Sequence, residues 1–451
     1  MIVNASRRTT SFAAERINSV FILSVAALLM QIPSFYGEDI VNARNNYLDG
    51  SRTDFWGGIS TLIYAHVPDF GFRWQIWLAV FQITLTSIAL NKTFPRVFNS
   101  KRKNIIKYVV VYSALTFGSQ MTRDGLMFSL IIYGFATLNS MLNKHRPIRL
   151  IVWPILIICL AMSFRPWLSM AVLPLILMIL KVYKIQFARW ATAVLIISIT
   201  LTPLAFEYLA AKSLRLEKSF PQQQVMLMDV AATYCYTTNT QTGERAARVI
   251  QNFSNDPNYK SFVCQLYRPD TWLSLTKSIN TSSSGFEVDF KLIQPGNVKQ
   301  YEELESKWLE IIIKDPVTYI QNKVLFAIKL LIGSDSRNIS ILSAESTSAR
   351  ILGLYRFAYD IAITLHLFSL LVCILVLFLI PAKRYFNNRD EGLNIDQYTI
   401  YILSSILIWN SLSAIAYVGS NGRYTYALSL LSLVLYLSHK GQQQAKIEKN
   451  E

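Results

Sequence analysis

The sequence predicts an α-helical polytopic membrane protein, with about ten transmembrane helices and a mixed extracytoplasmic segment. Three observations lead there. Of 451 residues, 52% are hydrophobic and only 16% are charged, against roughly 25% charged in a soluble domain. Apolar runs recur from end to end rather than at one terminus. The net charge of +16 is concentrated in short loops between those runs. That is the positive-inside pattern of a membrane protein and not the footprint of a nucleic-acid binder.

A helix needs about 20 mostly apolar residues to cross the hydrocarbon core. By that rule the candidate spans are 18–34, 74–91, 105–121, 125–142, 149–164, 167–181, 190–208, 355–381, 398–417 and 423–438. The first run, behind Arg7, Arg8 and Arg16, looks like a signal-peptide core. No small-x-small cleavage site follows it and many further spans do, so it reads as a retained first helix. Four domains follow: an N-terminal membrane domain (1–208, with a first external loop at 34–73), an extracytoplasmic segment (209–354), C-terminal membrane helices (355–438) and a tail (439–451).

Orientation comes from the basic loops. Lys92, Arg96, Lys101, Arg102 and Lys103 form one cluster, and Lys144, Arg146 and Arg149 the next. Lys181, Lys184 and Arg189 follow, then Lys383, Arg384 and Arg389, then Lys440, Lys446 and Lys449. With ten spans and a cytoplasmic N-terminus, every cluster falls on the cytoplasmic side. The opposite face then receives the loop 34–73, the turns near Gln120–Gly125, Ser163–Trp167 and Gly419–Arg423, and the segment 209–354.

That segment is polar and mixed, and large enough for a small domain. It closes with the amphipathic stretch Lys307-Trp-Leu-Glu-Ile-Ile-Ile-Lys, then Asp315-Pro316, then an apolar piece from Tyr319 to Ile332. The last is short for a span and contains Lys323 and Lys329, which suits an interfacial helix on the outer leaflet. Cys235 and Cys264 both fall in this segment and could close a disulfide in an oxidising compartment or stay reduced. Cys159 and Cys373 lie in apolar spans and read as packing residues. The four histidines are scattered without zinc-site spacing. No Walker loop or dinucleotide fingerprint is present, which argues against direct nucleotide binding.

Charges in awkward places point to a site. Glu38 and Asp39 follow the first apolar run almost at once, in Pro33-Ser-Phe-Tyr-Gly-Glu-Asp-Ile40, and Asp54 comes later in the same loop. Such carboxylates serve either as a solvated helix end or as a general base held at the lipid–water boundary. Arg123 and Asp124 stand between two apolar runs. Arg165 is the sole charge between Arg149 and Lys181, and Arg423 the sole charge between Asp396 and Lys440. One such arginine can snorkel to headgroups. Three on the face that positive-inside bias should deplete suggest a cationic pocket for a phosphate or diphosphate headgroup, because guanidinium grips phosphate oxygens in a fork.

These features resemble a family. The acidic pair Glu38-Asp39, the helix start Gln120-Met-Thr-Arg-Asp-Gly-Leu-Met-Phe-Ser129 and Ser163-Phe-Arg-Pro-Trp167 carry the likeness. So do Met228-Asp-Val-Ala-Ala-Thr233, Trp308-x6-Asp315-Pro316-x2-Tyr319 and Asn421-Gly-Arg-Tyr424. The chain is similar to GT-C-type polytopic glycosyltransferases, in particular the bacterial multi-spanning proteins of surface-polysaccharide and O-antigen modification. Many relatives carry a His-Pro-Pro-like element in the first loop, where this chain has Ser51-Arg-Thr-Asp-Phe-Trp-Gly-Gly58.

The resemblance implies transfer of a sugar from a polyprenyl-phosphate donor to a glycan or lipid-linked acceptor, outside a bacterial inner membrane with both termini cytoplasmic. It assigns the catalytic base to Asp39, with Glu38 second and Asp54 third. Arg123, Arg165 and Arg423 would bind the donor phosphate. Asp124, Asp229 and Trp308 are further candidates: the external aromatics Trp272 and Trp308 would stack on acceptor sugars, with core packing as their plainer role, and Asp229 also suits a helix N-cap. No cofactor or essential metal is implied for a monophosphate donor, although an acidic loop of this kind could hold a divalent ion. The partners expected are the lipid-linked sugar, the acceptor and membrane lipids, without nucleic acid. Two rivals share some of these features. An O-antigen polymerase also has external arginines and an external loop, but here the second external loop has only about six residues. A lipid or solute transporter would show inverted repeats and mid-membrane charges, and no repeat is visible.

Overall fold

The computed structural model describes residues 24–25, 27, 38–50, 57–68, 74–93, 104–119, 122–143, 147–183, 189–218, 222–254, 259–268, 275, 279–281, 286–288, 297–332, 397–416 and 430–435. The predicted span 355–381, most of 18–34 and of 423–438, and the positions Asp54, Trp272 and Arg423 lie outside the described residues. The protein is α-helical, and the described strands form one short hairpin. The chain divides into two compact units, Met1–Glu217 with Ile339–Trp409 and Tyr426–Glu451, and Lys218–Asn338 with Asn410–Thr425.

The first unit contains α1 (Glu38–Leu48), α2 (Gly58–His66), α3 (Trp74–Thr93), α4 (Asn104–Ser119), α5 (Arg123–Asn143), α6 (Val152–Met162), α7 (Leu173–Val182) and α8 (Arg189–Ser213). The helix α14 (Gln397–Ala416) begins in this unit. Among the described residues, two helices are long and apolar enough to cross a membrane, over Arg123–Leu142 and Thr192–Ser213. They differ in surroundings. The stretch within α5 is mostly buried against other helices, whereas that within α8 is mostly exposed. Trp190, Val194, Ile197, Leu201 and Leu209 all lie bare on α8. Water would not stabilise such a surface, but hydrocarbon would.

The candidate spans 149–164 and 167–181 form differently from the single helices that the hydropathy suggested. Each begins in a 3₁₀ segment, Ile148–Ile151 and Pro166–Val172. The α-helical remainders, of 11 and 10 residues, are each about 15 Å long, half the hydrocarbon thickness. Pro166 takes the first position of its segment, where a missing N–H costs nothing.

Glycines let helices approach closely in this unit. A Cβ on Gly134 would meet Ile158 Cγ1 at 2.7 Å, and one on Gly118 would meet Thr86 Oγ1 at 2.5 Å. Around Gly118 a buried polar knot ties α3, α4 and α5: Thr86 Oγ1 donates to the Gln82 carbonyl (2.9 Å) and lies 3.1 Å from Ser129 Oγ. Ser129 Oγ in turn reaches the carbonyls of Gly118 and Gly125, both at 3.0 Å. In an apolar medium such bonds keep buried hydroxyls satisfied.

The second unit holds α9 (Gln223–Tyr236), α10 (Thr240–Asn252), α11 (Tyr259–Leu266), the hairpin β1 (Ile279–Thr281) with β2 (Phe286–Val288), α12 (Val298–Lys314) and α13 (Pro316–Ile332). Side-chain caps start three of its helices. Asn239 accepts from the Thr242 N–H (3.2 Å), Asn297 from the Gln300 N–H (3.0 Å) and Asp315 from the Thr318 N–H (3.1 Å). Leu227, Val230, Ile250, Val263, Leu304 and Ile311 form the core. Cys235 and Cys264 are joined in a disulfide between α9 and α11, the form favoured outside the cytoplasm.

Candidate functional site

Thr122 opens α5, its Oγ1 accepting from the Gly125 N–H at 3.0 Å. Arg123 and Asp124 therefore occupy the first turn, where orphan N–H groups leave partial positive charge. Adjacent helix residues point about 100° apart, so these two do not face each other. Asp124 is instead buried and pairs with Arg165, 41 residues away. Arg165 Nε donates to Oδ1 at 3.0 Å and Nη2 to Oδ2 at 3.3 Å. Both partners are nearly inaccessible, at 6% and 2% exposure. Arg165 stands at the corner between α6 and the 3₁₀ segment that precedes α7, so its fork locks that corner to the start of α5. Arg123, half-buried, is one residue from the lock.

Of the acidic candidates, Glu38 and Asp39 occupy the first two positions of α1. The loop 34–73 is thus built partly from helices. Arg44 of α1 is buried and donates through Nη1 to the carbonyls of Tyr64 (2.7 Å) and Val67 (2.8 Å). Its guanidinium also lies over the Trp74 ring, 5.0 Å from the centroid. One arginine thereby fastens the helix carrying Glu38 and Asp39 to the end of α2 and the start of α3.

Glu207 is a functional-looking residue that the sequence reading passed over. It lies in the apolar helix α8, and its carboxylate accepts from the backbone N–H groups of Gly58 and of Ile59, the latter at 3.0 Å. It caps α2 from outside. The approach is tight enough that a Cβ on Gly58 would fall 2.4 Å from the Ala211 nitrogen. Gly57, at φ +88°, turns the chain into that position, a conformation that glycine adopts without strain. The signal was visible: Glu207 is the only charge between Arg189 and Lys212.

In the second unit three separated motifs meet. Asp229 lies in the middle of α9, so the N-cap role expected for it is incorrect. Gln222 precedes that helix and makes no capping bond. Asp229 Oδ1 accepts from Lys323 Nζ at 2.8 Å and Oδ2 from Trp308 Nε1 at 3.2 Å. The buried carboxylate thus joins α9 to α12 and α13. Burial raises its pKa, and the Lys323 charge works against that rise. Tyr319 sits beside it, with Lys323 Nζ 5.6 Å from its ring centroid. Burial, then the Asp229 charge, push the Tyr319 hydroxyl up to about 12. Trp308 therefore spends its N–H on a protein carboxylate. Asp315 is a capping residue: Thr318 Oγ1 (2.8 Å) and Thr237 Oγ1 also donate to it. Burial pushes its carboxyl up, but these bonds outweigh that and hold it below the ordinary range.

Chemically, the first site offers a fixed cation at a helix N-terminus with a second arginine adjoining. That is a setting for an anion. The second offers a neutralised carboxylate in a closed network. Among the described residues, no three His, Cys, Asp or Glu side chains stand close enough to hold a metal ion. No protein-family model matches the chain, and no curated protein or solved structure matches it either.

Proposed function

We propose that the chain is a multi-pass membrane glycosyltransferase of the GT-C type, moving a sugar from a polyprenyl-phosphate donor to a surface glycan or lipid-linked acceptor. The observation that carries this reading is the Arg165–Asp124 lock at the start of α5 beside Arg123. A lone buried arginine would cost several kcal/mol, and pairing with Asp124 offsets that while holding the guanidinium still. Arg123 stands beside that pair, and the α5 N-terminus adds partial positive charge. A donor phosphate suits that setting.

In the proposed reaction Asp39 takes the proton from an acceptor hydroxyl as its oxygen attacks the anomeric carbon. The carbon–oxygen bond to the phosphate breaks, and the lipid phosphate leaves with the bonding pair. Arg123, Arg165 and, by the sequence argument, Arg423 stabilise that developing charge. The anchoring of α1 through Arg44 supports a positioned base in the first loop. The disulfide in the second unit supports an extracytoplasmic location for it, consistent with a bacterial inner-membrane protein.

Asp39→Asn tests the assignment in isolated membranes supplied with a polyprenyl-phosphate sugar. Transfer is lost while protein level and detergent-solubilised stability stay unchanged. Full transfer by that variant removes Asp39 as the base.

A further inference from the structure

The helix α13 has two unlike faces. Its inward face carries Thr318, Asn322 and Phe326, all buried, with Tyr319 and Lys323 beside Asp229. Between residues 317 and 328 the exposed positions are Val317, Ile320, Gln321, Val324, Leu325 and Ile328, five aliphatic side chains and a single glutamine. They share one arc at the helical period. Just upstream, Ile313 near the end of α12 is 76% exposed. Lys314 at that end pairs with Glu310, 3.0 Å away.

We propose that this face docks on the outer leaflet of a phospholipid bilayer, seating α13 in the headgroup region with Val317, Ile320, Val324 and Ile328 toward the acyl chains. This rests on the membrane reading above. The proximity is set by the chain itself: α8 carries a bare apolar stretch of membrane-crossing length that ends at Ser213, and the second unit begins at Lys218. Five residues span at most about 18 Å, so the unit cannot move far from the end of that helix. Tethering at this range favours even a weak surface contact. An apolar arc sunk about 5–10 Å into the boundary is the usual depth for an amphipathic helix.

Docking has a consequence for the second unit. Lys323 lies on the inner side of the same helix, against Asp229 of α9, which also bonds Trp308 of α12, about one helix diameter, roughly 10 Å, from the lipid. The network that holds α13 to α9 therefore holds the lipid-facing arc in place, and Asp229 acts as a positioning residue for membrane contact.

The test uses the full chain reconstituted in phosphatidylethanolamine/phosphatidylglycerol vesicles, with Cys159 and Cys373 replaced by alanine. Single cysteines at Ile320, Val324 or Ile328 carry an environment-sensitive fluorophore, with Ile197 on α8 as the lipid reference and Gln241 on α10 as the aqueous one. Nitroxide-labelled lipid should quench the α13 sites within about twofold of Ile197 and leave Gln241 unaffected. Quenching of α13 by aqueous iodide at the Gln241 level, with Ile197 still lipid-quenched, overturns the docking and leaves the membrane reading standing. Aqueous quenching at Ile197 as well overturns both. Protection of α13 from both quenchers, rising with protein-to-lipid ratio, overturns lipid docking in favour of a second copy of the chain. Asp229→Ala should shift Ile320 and Val324 toward iodide while Ile197 stays fixed. No shift removes the positioning role.

Discussion

Among the described residues, each unit of this protein holds a carboxylate against a cation in its interior, and the two pairs are built differently. In Arg165–Asp124 both carboxylate oxygens go to one guanidinium, at 3.0 and 3.3 Å. In Lys323–Asp229 the oxygens go to two residues on two helices, a lysine at 2.8 Å and an indole at 3.2 Å. The first arrangement fixes a cation at a helix start. The second clasps three helices. A planar five-donor fork can do the former and a point-charge ammonium cannot. The chemistry therefore separates the proposed anion site from a network that holds a domain together.

The largest effect should come from opening the fork. Asp124→Ala leaves the Arg165 charge buried without its main partner and should cost about 3–5 kcal/mol, read as a lower unfolding temperature in detergent. Asp124→Asn with Arg165→Met should recover much of that loss. Failure to recover would mean that the pair shapes the corner by more than charge. Asp229→Ala should cost about 3 kcal/mol, with Lys323→Met again compensating in the double variant. Because Trp308 also bonds Asp229, the double-mutant cycle should leave a residual that Trp308→Phe removes.

A smaller change is expected from Glu207→Ala, about 1–2 kcal/mol, since it uncovers two N–H groups at the start of α2. Proteolysis at 57–66 would report that loosening directly. The smallest effect is a pH dependence. The folded pKa of Asp315 lies below its ordinary value. Its contribution is therefore complete above the unfolded value of about 3.9 and fades as pH falls through the lower folded value. Asp315→Asn should flatten the acid limb of a stability–pH curve by about 1 kcal/mol or less. An unchanged limb would show that other carboxylates set it.

The helical class was legible from apolar run lengths, and so were the starts of α3, α5 and α8. The 3₁₀ entries at Ile148 and Pro166 were not, because hydropathy averages over a window and does not register how the backbone turns at Pro147 or Pro166. Site residues divided along similar lines. Isolation in apolar sequence flagged Arg165 and Asp124 correctly as unusual, but nothing local could show that they meet across 41 residues. Asp229 was misread as a cap because Ser, Thr, Asp and Asn near a helix start raise that expectation, while its partners Trp308 and Lys323 come much later in the chain. Glu207 was missed even though it breaks the same rule that drew attention to the arginines. A lone charge in an apolar run merits the same scrutiny whatever its sign.

Donor-phosphate binding by the purified chain is the most direct measurement. Titration with a polyprenyl phosphate should give saturable binding that weakens about tenfold or more in Arg123→Ala, one charge-assisted bond being worth about 1.5–3 kcal/mol, and weakens less in Arg123→Lys. Equal affinity in wild type and Arg123→Ala would contradict a phosphate site at the start of α5.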